Sequence, residues 1–236
     1  MTPISFIYFD LDDTILDHRH AEKLALKDVF DEHAGLIGAH DFNEMHNAYR
    51  EINGAVWRAY SDGNLDKEGA KHTRFKRLLD RFDADSSIDA DMLSDCYLGH
   101  YGKYWTYISG AEAAIRELRR SFRMGILTNG FSEIQHRKLN QFPTIKNACP
   151  TVVVSDEIGS MKPNPEIFTY ATARAQCERN QILYVGDSLR SDIRGGLSAG
   201  WQVAWFTDET SGEPDVFRFS RWPDLVSWLN PIRGVS

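Results

Sequence analysis

The chain has 236 residues, 42% of them hydrophobic, and a formal net charge of -7, which suits one large α/β domain or a core with an accessory domain. No apolar run approaches the roughly 20 residues of a membrane-spanning helix, and the start, Met1 to Asp10, lacks the basic and apolar regions of a signal peptide. The acidic balance works against binding a nucleic-acid polymer, so the expectation is a cytoplasmic protein, monomeric or homodimeric, with no membrane partner and only local positive charge.

In chain order, Ile4 to Phe9 is a short apolar run without alternation, as in a strand covered on both faces. Similar runs recur at Arg123 to Leu127, Thr151 to Val154, Gln181 to Val185 and Trp201 to Phe206, separated by helical-period segments at Glu112 to Arg120, Pro165 to Gln176 and Ile193 to Ala199. That rhythm predicts a doubly wound parallel sheet of Rossmann-like type. Between the first two strands lie about a hundred residues with helical spacing only: Ala21 to His33, Phe42 to Tyr60, Lys67 to Arg81 and Asp91 to Trp105. The expected domains are therefore a core, residues 1–16 and 108–236, and an inserted helical cap, residues 17–107, with crossings at Leu16 to His18 and Tyr107 to Gly110. Cys96, Cys149 and Cys177 are odd in number and too widely spaced for CxxC chemistry, which favours packed thiols over disulfides or a zinc site. His18 and His20 read as solvated linker residues, and the insertion's aromatics, Trp57, Tyr60, Phe75, Tyr97, Tyr101, Trp105 and Tyr107, mostly as cap core.

In such a sheet ligands sit beyond the carboxyl ends of the strands. The first strand ends in Asp10-Leu11-Asp12-Asp13-Thr14 and the second in Thr128-Asn129-Gly130; Met161-Lys162-Pro163 follows the third, and the fourth ends in Gly186-Asp187, with Asp192 five residues on. Carboxylates that converge there need a counter-charge. Magnesium, held by one or two carboxylates, water and a substrate phosphate, meets the need, with Asp10 and Asp187 as direct ligands. Asp12, two residues past Asp10, should point the same way and is the acid/base candidate. Lys162 offers a mobile charge for a phosphoryl oxygen, and Thr128 with the backbone amides of Asn129 and Gly130, opening the next helix, offers neutral donors. Lys138 reads as a surface lysine. For Asp13 and Ser188, loop polarity or N-capping is as good a reading as a chemical role.

The four motifs Asp10-x-Asp12-x-Thr14, Thr128-Asn129-Gly130, Lys162-Pro163 and Gly186-Asp187-x4-Asp192, in this order, resemble those of the haloacid dehalogenase-like superfamily, and the insertion resembles its helical cap of the first type. The resemblance implies that Asp10 attacks phosphorus to form an aspartyl-phosphate. It implies that Asp12 protonates the leaving group and then activates water, and that Mg2+ sits among Asp10, the backbone carbonyl of Asp12, Asp187 and the phosphate, with Asp192 behind them. The segment Asn53 to Gly63, followed by Arg74-Phe75, together with Thr128 to Phe131, resembles the house-cleaning pyrimidine 5'-nucleotidase branch. It points to a nucleoside 5'-monophosphate or similar small phosphorylated metabolite as substrate, with Trp57 as candidate contact. The same core serves phosphomutases, and also haloacid dehalogenases, which need no acid at the position of Asp12. A catalytically inactive binding module is the non-enzymatic alternative, against which the intact Asp10, Asp12, Lys162 and Asp187 argue.

Overall fold

The computed structural model describes residues 3–212 and 214–230. Its backbone divides into a sheet-bearing unit, residues 1–17 and 106–236, and a helical unit, residues 18–105.

The sheet-bearing unit is built on six parallel strands, β1 (Phe6–Phe9), β2 (Arg123–Thr128), β3 (Thr151–Val154), β4 (Ile182–Gly186), β5 (Gln202–Phe206) and β6 (Phe217–Phe219), in the order β3-β2-β1-β4-β5-β6. β1 is buried along its whole length, which its uninterrupted apolar run requires of a strand covered on both faces. One face is filled by Tyr8 stacked on Trp201 at 5.4 Å, with Phe168 edge-on to Trp201. The strand order reverses between β1 and β4, where an open α/β sheet leaves a crevice. Phe9 pairs in register with Ile126 on one side and Val185 on the other, so β1 stops two residues before β2 and one before β4. β6, three residues long, carries too little pattern to read from sequence.

The helical unit contains α1 (His18–Ile37), α2 (Phe42–Ser61), α3 (Lys67–Arg81) and α4 (Ala90–Tyr101). Asp41 caps α2 by accepting from the Glu44 amide at 3.0 Å, and Asp66 caps α3 by accepting from the Gly69 amide at 2.7 Å, each satisfying an otherwise orphaned first-turn donor. Tyr49, Phe75 and Tyr97 touch one another in its centre, with ring centroids 5.5 to 5.8 Å apart. Two expectations change here. α1 begins at His18 rather than Ala21, so His18 is no linker residue: it is half-buried, with its Nδ1 2.6 Å from the Tyr101 hydroxyl. α4 stops at Tyr101, where Gly102 follows, four residues short of the expected end. None of the described helices is long and apolar enough to cross a membrane.

The two crossings pair with each other inside the sheet-bearing unit. The Asp17 amide donates to the Thr106 carbonyl at 3.0 Å, the Ile108 amide to the Ile15 carbonyl at 2.9 Å, and Leu16 bridges Tyr107. Tyr107 accordingly packs on Phe142, with centroids 4.8 Å apart, rather than inside the helical bundle.

Candidate active site

Asp10 leaves the end of β1 with its amide still donating to the Val185 carbonyl at 2.8 Å, so the carboxylate is held by sheet geometry. Lys162 reaches it from the loop after β3. Its Nζ donates to Asp10 Oδ1 at 2.8 Å, Asp192 Oδ1 at 2.8 Å and the Tyr184 hydroxyl at 2.6 Å. An ammonium has three donors, and all three are committed inside the protein. Lys162 is therefore a fixed charge, 3% exposed, and the expectation of a mobile one is corrected. The Tyr184 hydroxyl donates its own hydrogen bond to the Leu127 carbonyl at 2.8 Å.

Asp192 is fully buried. Its second oxygen accepts from the Ser188 amide at 3.0 Å, and the Ser191 hydroxyl lies 3.1 Å from its first. Gly186 makes room for it: a Cβ there would stand 2.5 Å from Asp192 Oδ2. Ser188 caps the π-helical turn Leu189–Arg194 by accepting from the Ser191 amide. The helical segment thus starts earlier than Ile193, and its first turn presents Asp192 to Lys162.

Burial pushes the Asp10 carboxyl well above the usual carboxylate range, Asp192 and Asp187 add to the rise, and Lys162 opposes it. Burial alone would lower the Lys162 ammonium, but Asp10 and Asp192 together raise it. The ammonium keeps its proton, so three carboxylates share one cation and the site lacks positive charge.

Asp12 faces different partners from Asp10. Both its oxygens accept from Lys138 Nζ, at 2.5 and 2.7 Å, and one also from Gln135 Nε2 at 3.0 Å. Both partners stand on the helix Ser132–Gln141. Lys138 is not the surface lysine expected: its side chain is 2% exposed, because Ile134, Gln135, Lys138 and Leu139 form the helix's inward face. The same helix begins at Ser132, not at Asn129, since Phe131 is still extended.

Thr128 is fully buried and its Oγ1 accepts from Gln135 Nε2 at 3.1 Å. The Asn129 side chain, rather than its amide, does the visible work: it accepts from the Lys162 amide at 2.8 Å and donates to the Lys162 carbonyl at 2.9 Å, fixing the lysine's backbone. The Gly130 amide donates to Ser155 Oγ at 3.1 Å, so that donor is engaged within the protein. Trp57 lies on α2 of the helical unit, half-buried, its ring 5.7 Å from that of Tyr60.

Asp187 follows β4, its backbone carbonyl accepting from Trp205 Nε1 at 2.8 Å and its Oδ1 from the Thr14 hydroxyl at 3.2 Å. Donor oxygens of Asp10, Asp187 and Asp192 lie within 4.8 Å of one another. Asp192 Oδ1 is engaged by Lys162 and Ser191 and its Oδ2 by the Ser188 amide. An all-oxygen donor set short of positive charge fits a hard divalent ion such as magnesium.

Residues 7–206 match the haloacid dehalogenase-like hydrolase family, and the chain belongs to it. It is 34% identical to the HAD-hydrolase YfnB of Bacillus subtilis (strain 168), over 98% of this chain and 97% of that protein. A crystal structure of YfnB bound to magnesium matches with a TM-score of 0.86 and 30% identity, covering 97% of this chain and 100% of that one. The chain is also 28% identical to the pyrimidine 5'-nucleotidase YjjG of Escherichia coli (strain K12), over 89% of each. To the glyceraldehyde 3-phosphate phosphatase of Methanopyrus kandleri it is 30% identical, over 84% of this chain and 81% of that protein.

Proposed function

We propose that the protein is a magnesium-dependent phosphate monoester hydrolase that works through an aspartyl-phosphate on Asp10, with nucleoside 5'-monophosphates as its preferred substrates. The observation that carries the reading is the buried Asp10, fixed by Lys162 beside Asp187, with a second carboxylate, Asp12, two residues away on separate supports. A carboxylate oxygen of Asp10 forms the bond to phosphorus as the ester oxygen leaves. Asp12 gives its proton to that oxygen, then takes one from the water that cleaves the intermediate. Lys162 holds the attacking carboxylate in place and puts a positive charge beside the transferring group. Asp10, the Asp12 carbonyl and Asp187 would hold the magnesium, which supplies Lewis-acid neutralisation of phosphoryl charge.

Within this reading Lys138 is a positioning residue for Asp12. Lys138→Met should lower kcat/KM by about 10- to 100-fold for alkyl phosphates, which need protonation on departure, and much less for aryl phosphates with good leaving groups. Equal losses on both, tracking a loss of thermal stability, would reduce Lys138 to a structural role.

The class of substrate rests on the likeness to a pyrimidine 5'-nucleotidase and on aromatic side chains such as Trp57 in the helical unit. Remote binding energy from a base there can be expressed in the transition state. The likeness to a glyceraldehyde 3-phosphate phosphatase favours a second reading, a small sugar phosphate. A panel of both classes, assayed with magnesium and again with chelator, decides. Hydrolysis should vanish in chelator, and nucleoside monophosphates should show the higher kcat/KM. Undiminished activity in chelator would refute the metal; faster turnover of sugar phosphates would replace the nucleotide reading by the second.

A further inference from the structure

A second cluster of donors lies in the helical unit, on two helices that pack together. On α1, Asp28 and Glu32 are four residues apart and so share a face; on α4, Cys96 and His100 do the same. Cys96 Sγ is 3.3 Å from Glu32 Oε2, and His100 Nε2 is 3.1 Å from Glu32 Oε1. Donor atoms of all three residues lie within 4.8 Å of one another. His33 Nε2 stands 3.8 Å from Cys96 Sγ and 3.8 Å from Glu32 Oε2. Tetrahedral zinc, with bonds of about 2.0 Å to nitrogen or oxygen and about 2.3 Å to sulfur, requires donors about 3.3 to 3.6 Å apart, close to the separations found.

The surroundings of His100 favour the same conclusion. Its Nδ1 lies 3.0 Å from Asp28 Oδ2, which also accepts from the Tyr104 hydroxyl at 2.6 Å. A carboxylate on the far nitrogen fixes the proton there and turns the lone pair of Nε2 toward a metal, the arrangement that supports histidine ligands. Lys103 Nζ also approaches Nδ1, at 2.9 Å; a metal on Nε2 would select Asp28 as the partner of a protonated Nδ1.

We propose that Glu32, Cys96 and His100 form a binding site for a zinc-like divalent cation that staples α1 to α4, with His33 or water as fourth ligand. Sulfur and imidazole donors favour zinc and cobalt over magnesium, so this site and the carboxylate site at Asp10 differ in the ions they select. Binding releases the Cys96 thiol proton to solvent and leaves a thiolate on the metal.

Cobalt(II) titration of the full-length protein in excess magnesium tests this. Wild type should develop a near-ultraviolet thiolate-to-cobalt charge-transfer band saturating at one equivalent, which zinc displaces. Cys96→Ser should lose the band while keeping the wild-type far-ultraviolet circular dichroism, Asp28→Asn should bind about 10- to 100-fold more weakly, and Asp187→Asn should keep the band. No band in wild type, a band that survives Cys96→Ser, or one lost in Asp187→Asn would overturn the site.

Discussion

Asp10→Asn should abolish phosphatase turnover, with kcat falling by about 10⁴- to 10⁶-fold, as when the nucleophile of other covalent enzymes is removed. The substitution is nearly isosteric, and the amide oxygen can still accept from Lys162, which lies 2.8 Å from Asp10 Oδ1. The fold should therefore survive. Because burial and the charges of Asp192 and Asp187 oppose ionisation of Asp10, a neutral amide relieves repulsion, and the melting temperature without magnesium should be unchanged or higher. Measured together, activity and melting separate a chemical role from a structural one. An unfolded variant would contradict the expected stability, and a folded variant with substantial activity would remove Asp10 as nucleophile.

Lys162→Ala should cost both activity and stability. The lysine is the shared partner of Asp10, Asp192 and Tyr184, and removing it strands two buried carboxylates, a loss of about 3 to 5 kcal/mol for a buried pair broken on one side. Turnover should fall by about 10²- to 10³-fold, the usual effect of deleting one preorganised charge stabiliser. Lys138 cannot serve as the control, since it pairs with Asp12. Lys146 can: it is exposed and donates only to Asn140 among its described bonds, and Lys146→Ala should leave both quantities near wild type. Denaturant melts and kcat/KM on the two variants check this, and similar small effects would show that the buried charge is dispensable.

The strands and the acids at their ends were legible because both are local. Apolar runs of four to six residues mark buried parallel strands; Asp10 and Asp187 stand at the ends of such runs, and Lys162 comes eight residues after another. The supports of those residues were not. Tyr184 sits within an apolar strand and reads as core, yet its hydroxyl binds Lys162. Lys138 read as a surface lysine, and Gln135 carried no reading at all. A signal was available there: Ile134 and Leu139 bracket them on one face, and a lysine on the apolar side of a helix needs a buried acid. The phosphate-cradle reading of Asn129 and Gly130 assumed a helix that opens at that point. The chain instead stays extended through Phe131, and the Asn129 side chain turns to the Lys162 backbone. Glu32 is more than sixty residues of sequence away from Cys96 and His100, and only the packing of α1 on α4 brings them together. Cysteine number and spacing alone argued for packed thiols and against a zinc site.

The central claim is tested most directly by trapping the covalent intermediate. Asp12→Asn, which should slow cleavage of the aspartyl-phosphate more than its formation from an aryl phosphate, is mixed with substrate and magnesium, quenched in acid and mapped by mass spectrometry. The account predicts one phosphoryl group per chain, on the peptide containing Asp10, and its absence in the variant that also carries Asp10→Asn. A phosphoryl group on any other residue, or active turnover with no covalent species at any time point, would contradict it.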